Sequence, residues 1–332
     1  MKIAYLAGPR KIATREIDLP KLTTGTCLVK IAACAICGSE KEVWEKGFHA
    51  DFPNDPDCAW FGHEATGTIE EVGPAVSDWK VGDRVALYNI VGCGTCRWCR
   101  DGIETYCGTS QTVGQGFREH AVVPAAGLLP LPREVPFEIG TLLTDTLGTA
   151  LRAIRQAGPI QGETVCVWGL GPIGLLIAQA AKHFGAKRVF AVEPVASRLE
   201  LAREFGVNEM LAPDQALGQR LKDLAEGGPT VCFNTVANQG VCQSAYDGLM
   251  PGGRLVTIVA VPKAMDWFSE RRVIGCAYFL RKEYAGNLEL FHQGIFSVAK
   301  LLTHRFSLAE VDEAFRMRFA RPADALKVVV EE

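Results

Sequence analysis

Apolar and polar positions fall into two regimes along the chain. Up to about residue 145, short apolar runs such as CLVKIAA and ATGTIEEVG are broken by turn pairs, including VGDRV at 81–85, which predicts short strands. The proline-dense PAAGLLPLPREVP reads as a connector. TDTLGTALRAIRQAG then carries Leu147, Ala150, Leu151 and Ile154 at helical spacing and runs to Gly158, a candidate C-cap. From residue 164 to about 279, apolar runs (TVCVWG, RVFAVE, TVCFNTV, RLVTIVAV) alternate with helical segments (GLLIAQAAKHFGA, ASRLELAREFG, GVCQSAYDGLM). That alternation predicts βαβ units around a parallel sheet. The C-terminal stretch shows no such alternation: SLAEVDEAFRM reads as a helix and ALKVVVEE as a strand, both returning to the first domain. The predicted architecture is α/β, a β-rich body interrupted by a doubly wound domain.

Length and charge narrow the function. A chain of 332 residues favours two domains, since single cores rarely grow past roughly 250–300 residues. With 22% charged residues and a net charge of -3, there is no basic footprint for nucleic acid. The N-terminus lacks a signal peptide's apolar core, and no run approaches the ~18 apolar residues of a membrane span. A cytoplasmic protein is expected, with no membrane partner. In that reducing setting the twelve cysteines are not a disulfide framework, and clustered ones read as metal ligands.

GLGPIG follows one predicted strand and opens one predicted helix, the context a GxGxxG needs to bind a dinucleotide. Gly169 allows the turn, Gly171 the close approach to a diphosphate and Gly174 the helix–strand contact, with Pro172 and Ile173 opening the helix. A glycine turn serving packing alone is the bland alternative. Nineteen residues past Gly174, Glu193 ends the second strand. There it would accept from ribose hydroxyls and repel a 2'-phosphate, which favours NAD over NADP. Arg198 either covers the adenine or is a surface charge on its helix.

GCGTCRWCRDGIETYC holds Cys93, Cys96, Cys99 and Cys107. Four thiolates complete a tetrahedral zinc site with no open position, so this lobe is structural. An iron–sulfur cluster fits less well, because the next cysteine of a ferredoxin comes sooner and precedes proline, whereas Cys107 precedes Gly108. Metal-free thiols are the remaining alternative. Chemistry must then lie elsewhere. AICGSE offers Cys37 and FGHEATG offers His63 beside Glu64, each weak alone, while Cys34 alternates within an apolar strand and reads as core.

In chain order, CGSE from Cys37, GHEATGTIEEVG from Gly62, VGDRV, the cysteine lobe, GLGPIG and HRFSLAEVDEAF resemble the zinc-dependent medium-chain alcohol and polyol dehydrogenases over essentially the whole length. The resemblance implies a groES-like catalytic domain over 1–147 and 285–332, with the structural-zinc lobe at about 92–108, and a Rossmann NAD-binding domain over 148–284. It implies two zinc ions per chain, a catalytic one in the cleft between the domains and a structural one, and a homodimer or homotetramer. The implied reaction is reversible oxidation of a small-molecule secondary alcohol (a polyol, sugar or cyclitol) to the carbonyl, with hydride passing to NAD.

By match to the family's motifs, Cys37 and His63 are catalytic-zinc ligands and Glu64 a nearby carboxylate. Ser39 hydrogen-bonds the substrate alcohol, and Thr149 contacts the nicotinamide end. The third ligand is usually cysteine or glutamate four residues before that threonine, and this chain has Asp145. Asp145 or Thr144 could instead N-cap the following helix. As a ligand, Asp145 leans the chain toward the polyol and sugar branch. Glu42 stands where polyol-type relatives often carry a proton-relay histidine; it replaces the relay or is a surface acid. A zinc-free enone or quinone reductase would lack the cysteine lobe and generally prefer NADP. A non-catalytic relative would not need Cys37, Ser39, His63 and Glu64 together. In WEKGFHADFPNDPDCAW, Trp44, His49, Phe52 and Trp60 line a cleft or pack the loop.

Overall fold

Backbone pairing in the computed structural model, which describes residues 1–48, 61–214 and 216–332, sorts the chain into two units. The first comprises Met1–Asp145, Leu280–Lys282 and Ala299–Glu332; the second comprises Thr146–Phe279 and Glu283–Val298. His49, Phe52 and Trp60 lie outside the described residues.

In the first unit a seven-stranded sheet runs Leu302–Ser307, Lys327–Glu331, Thr26–Ala35, Glu64–Val72, Arg84–Leu87 and Leu128–Pro130, with His120–Pro124 also pairing to Thr26–Ala35. Thr26–Ala35 (TCLVKIAACA) is rich in β-branched and small apolar residues and is buried along nearly its whole length. It pairs antiparallel with Glu64–Val72, setting Ala35 opposite Glu64. On its other side Lys327–Glu331 runs antiparallel too, with Val329 opposite Ala35. Three chain segments therefore meet at one end of the sheet, just past Ala35, just before Glu64 and at Lys327. Beneath them Phe61, Phe117 and Phe315 pack with ring centroids 4.9–5.4 Å apart, the spacing aromatic clusters favour.

The second unit holds six parallel strands in the order Glu209–Leu211, Arg188–Val192, Thr164–Trp168, Val231–Asn234, Arg254–Thr257 and Arg272–Gly275. Numbered along the chain this is 3-2-1-4-5-6, the doubly wound order, whose ligand crevice opens at the carboxyl ends where the order reverses. The four apolar runs form the four central strands. The outer two, of three and four residues, are too short for a period to show in the sequence.

RLVTIVAV is shorter as a strand than as an apolar run. Its partner ends at Asn234, opposite Thr257, so Ile258 makes a last bond to Asn234 O at 3.1 Å. Val259 and Val261 then turn outward, 48% and 61% exposed. The helix Asp145–Ala157 ends before Gly158 at φ +74°, the expected left-handed cap. Among the described residues no helix is long and apolar enough to cross a membrane.

Gly67 shows how tightly the key strand pair is drawn together. A Cβ there would sit 2.1 Å from Lys30 O on the neighbouring strand and 2.8 Å from Val29 Cγ1. Gly67→Ala should therefore destabilise the protein by about 1–3 kcal/mol, as overpacking does. The check is the urea midpoint of the variant against wild type; unchanged stability would contradict this contact.

Candidate metal centre and cofactor loop

Cys37 lies two residues beyond Ala35 and His63 one residue before Glu64, so the strand register brings both to the same sheet end. Asp145 arrives at the start of the helix Asp145–Ala157. Its Oδ2 lies 3.4 Å from Cys37 Sγ and 3.3 Å from His63 Nε2, and the three donor atoms all fall within 4.8 Å of one another. All three residues are buried. Donors at about 2.0–2.3 Å from a tetrahedral zinc stand about 3.3–3.7 Å apart, so these two separations fit that ion. The donor set (thiol, imidazole, carboxylate) is one zinc accepts, and three protein donors leave one position open. The Asp145 carboxylate is thus turned toward Cys37 and His63.

Charge around the triad is concentrated. Burial pushes the Cys37 thiol up, with the carboxylates of Glu64 and Asp145 adding to the rise and His63 opposing it. For His63, burial works to lower the pKa, but Cys37, the hydrogen bonds to Asp145 and Cys37, and Glu40 together raise it well above the usual range. A divalent cation among these groups reverses both preferences, favouring thiolate and neutral imidazole, so metal binding here releases protons.

Two residues essential to this geometry were not singled out by the sequence. Glu40 is fully buried. Its Oε2 accepts from Cys37 N–H at 3.0 Å, its Oε1 accepts from Gly62 N–H at 2.7 Å, and Oε1 stands 3.7 Å from His63 Nδ1. It thereby ties the two ligand-bearing turns together and faces the imidazole nitrogen turned away from Asp145, the place where an orienting carboxylate acts. Burial raises its pKa to about 7, against His63 and the two N–H groups.

Lys327 is the second. Its buried ammonium pairs with Glu64 and lies 3.4 Å from Ile36 O. Burial works to lower its pKa, but Glu64 and Cys37 outweigh that and raise it. A lysine inside ALKVVV was the available signal, since an isolated charge in a buried strand needs a partner.

The remaining sequence candidates distribute as follows. Ser39 is exposed at the start of the helix Glu40–Lys46 and its hydroxyl makes no capping bond. Glu42, on the same helix, has a 72% exposed side chain paired with Lys46 at 2.5 Å. Thr149 is buried on the helix Asp145–Ala157, one turn beyond Asp145. Trp44 is core: it packs on Phe319 at 5.5 Å and is 4% exposed.

The four-cysteine lobe is closed at its base by the pairing of Ile90–Val91 with Gln111–Thr112. All four thiols are free, and their sulfurs lie within 4.8 Å of one another, Cys96 to Cys99 at 3.5 Å and Cys93 to Cys99 at 3.9 Å. Backbone N–H groups point at two of the sulfurs, from Cys96 to Cys93 and from Cys93 to Cys107, both at 3.4 Å. The Thr95 hydroxyl and the N–H groups of Thr95 and Cys96 lower the Cys93 pKa to about 5, while burial and the neighbouring thiols push Cys99 up to about 12. A Cβ on Gly92 would stand 2.3 Å from Cys99 Sγ, so glycine is required beside the cluster.

In the second unit the three loop glycines divide their work. Gly169 has φ +91°, and a Cβ on Gly174 would lie 1.9 Å from Gly169 O. Gly171 caps the helix Pro172–His183, and a Cβ there would meet nothing within 4 Å. Turn, close packing and open approach are the three conditions a diphosphate loop must meet, so the residues fit a dinucleotide. Pro172 and Ile173 form the first turn. Glu193 is buried, with Arg198 Nη1 3.8 Å from its Oε2.

Residues 23–133 match the family described as alcohol dehydrogenase GroES-like domain, and residues 172–293 the one described as zinc-binding dehydrogenase. The chain is similar to an alcohol dehydrogenase of Geobacillus stearothermophilus, 30% identical over 309 residues, covering 89% of this chain and 90% of the relative. It is similar also to sorbitol dehydrogenase of Bacillus subtilis, 26% identical over 343 residues, covering 99% and 97%. A solved structure described as a short chain alcohol dehydrogenase from Escherichia coli complexed with cofactor NADH shares 26% identity. It superposes with a TM-score of 0.89, covering 100% of this chain and 99% of that one.

Lys327→Met would leave the Glu64 carboxylate buried without its ammonium. Stability should fall by about 3–5 kcal/mol, the cost of breaking a buried pair from one side. Adding Glu64→Leu should restore most of the loss. Equal denaturant midpoints for the single and double variants would show that the pair does not matter.

Proposed function

The chain belongs to the zinc-dependent medium-chain alcohol and polyol dehydrogenase family, and from that premise we propose that it oxidises a secondary alcohol, a polyol, sugar or cyclitol, reversibly to the carbonyl with NAD as hydride acceptor. The observation that carries this reading is the Cys37–His63–Asp145 triad, with Asp145 Oδ2 3.3–3.4 Å from the other two donors and three protein donors in all, one short of a tetrahedral set. In this reading these three residues hold a catalytic zinc, and Cys93, Cys96, Cys99 and Cys107 hold a structural one.

Held by Cys37, His63 and Asp145, a zinc ion would supply a Lewis acid that makes an alcohol proton easier to remove, and a bound nicotinamide would supply the hydride acceptor. The protein's own groups do the positioning. In this reading Ser39, two residues from Cys37 and with no capping bond from its hydroxyl, takes the alcohol proton onward. Its exposure gives that proton a route to water, with or without Glu42. Glu40 ties the turns that carry Cys37 and His63 and stands 3.7 Å from the imidazole, and Lys327 holds Glu64 by charge. In the other unit Gly169, Gly171 and Gly174 carry the diphosphate on the first turn of Pro172–His183, Glu193 takes the adenosine ribose, and Thr149 contacts the nicotinamide. The carboxylate of Glu193 disfavours a 2'-phosphate, which is the reason for naming NAD.

Protein purified without chelator should contain two zinc ions per chain and oxidise at least one member of a panel of polyols, sugars and cyclitols with NAD. Cys37→Ser should lose one zinc and all turnover while keeping NADH affinity within about twofold, because chemistry and cofactor binding reside on different residues. Cys96→Ser should lose the other zinc and much of the stability. A Cys37→Ser protein that retained both metals, or its activity, would overturn the assignment.

A further inference from the structure

Glu193 does more in this fold than end a strand. Its Oε2 accepts a hydrogen bond from Leu170 N–H at 2.7 Å, and its Oε1 accepts one from Val195 N–H at 3.0 Å. Leu170 is the residue between Gly169 and Gly171 and is fully buried, so its N–H has no water to turn to. The same junction is stitched by Gly169 N–H to Val192 O at 2.9 Å and by Glu193 N–H to Leu211 O at 3.1 Å. Arg198 stands 3.8 Å from the carboxylate on its outer side.

We infer that Glu193 is a positioning residue for the diphosphate loop, its carboxylate bridging the glycine turn and the turn after the second strand so that the loop is set before a dinucleotide arrives. The inference rests on the reading that this loop holds a dinucleotide, and it adds a role to the ribose contact. An ionised carboxylate offers about four lone-pair positions, and two N–H bonds leave acceptors for ribose hydroxyls. Both roles then reside in one side chain. Removing it costs affinity for either dinucleotide, because both share the diphosphate, where a pure charge filter would trade NADH for NADPH.

Glu193→Gln separates the two. The amide has the same size but one acceptor oxygen, so either Leu170 or Val195 must face an NH2 group. Glu193→Asp keeps the charge and is one methylene short of spanning both N–H groups. It serves as the second variant if the glutamine protein does not fold. The readouts are hydrogen exchange of the peptide containing Leu170 in the cofactor-free protein, and the dissociation constants of NADH and NADPH by fluorescence.

The expected result is exchange at Leu170 faster by about fivefold or more, the worth of one lost hydrogen bond, with both dinucleotides weakened and NADH the more so, because it also loses its ribose contact. Wild-type exchange at Leu170 together with a gain in NADPH affinity would overturn the inference and leave Glu193 as a charge filter alone. Wild-type protein that bound neither dinucleotide would overturn the dinucleotide reading itself, and with it the purpose given to this bridge.

Discussion

The antiparallel pairing of Thr26–Ala35 with Glu64–Val72 is the constraint on which the metal centre depends. With Ala35 opposite Glu64, the chain leaving one strand and the chain entering the other are neighbours, and Cys37 and His63 meet across the sheet end. A slip of one residue would send alternate side chains to the opposite face and part the two ligands. The register is specified by buried Val29, Ile31 and Ile69, and by Gly67, which has space for no side chain against Lys30 O. The third strand, Lys327–Glu331, completes the same end by placing an ammonium beside Ile36 and Glu64.

Electrostatics then explain why so many acids are gathered where burial penalises them. Glu40, Glu64 and Asp145 are all buried within reach of Cys37. Two of the carboxylates have internal partners: two backbone N–H groups for Glu40 and the Lys327 ammonium for Glu64. Asp145 is turned to a thiol and an imidazole, both of which are metal donors. Such a set is costly as free acids and favourable around a divalent cation. The lobe of four cysteines uses a local version of the same logic, its sulfurs drawn together by short turns and backbone N–H groups.

Much of this was legible in the sequence where spacing is local. GLGPIG follows a strand and opens a helix, with Gly169 at φ +91°, Gly171 capping the helix and Gly174 packed against Gly169 O, as the motif demands. The four-cysteine spacing gives a compact cluster for the same reason. What the sequence hid was tertiary. Glu40 lay within the quoted CGSE, but its double backbone contact depends on Gly62, which is distant in sequence. Lys327 gains its meaning only when two strands pair. The strands Glu209–Leu211 and Arg272–Gly275 carry too few residues to show a period, and the apolar run after Thr257 outlasts its partner strand. The sequence left Glu42 open between a proton relay and a surface acid, and the structure adds that it lies on an exposed helix face paired with Lys46.

In the proposed catalytic site three chain segments converge, and a zinc held there would have a single thiolate among its ligands. The most direct measurement is X-ray absorption on protein in which the more exchangeable metal has been replaced by cobalt, read at the cobalt edge. One sulfur neighbour is expected, with the remaining neighbours nitrogen or oxygen, and Cys37→Ser should no longer take up cobalt in this single-sulfur shell. A cobalt shell of four sulfurs, or a sulfur signal unchanged by Cys37→Ser, would contradict this assignment.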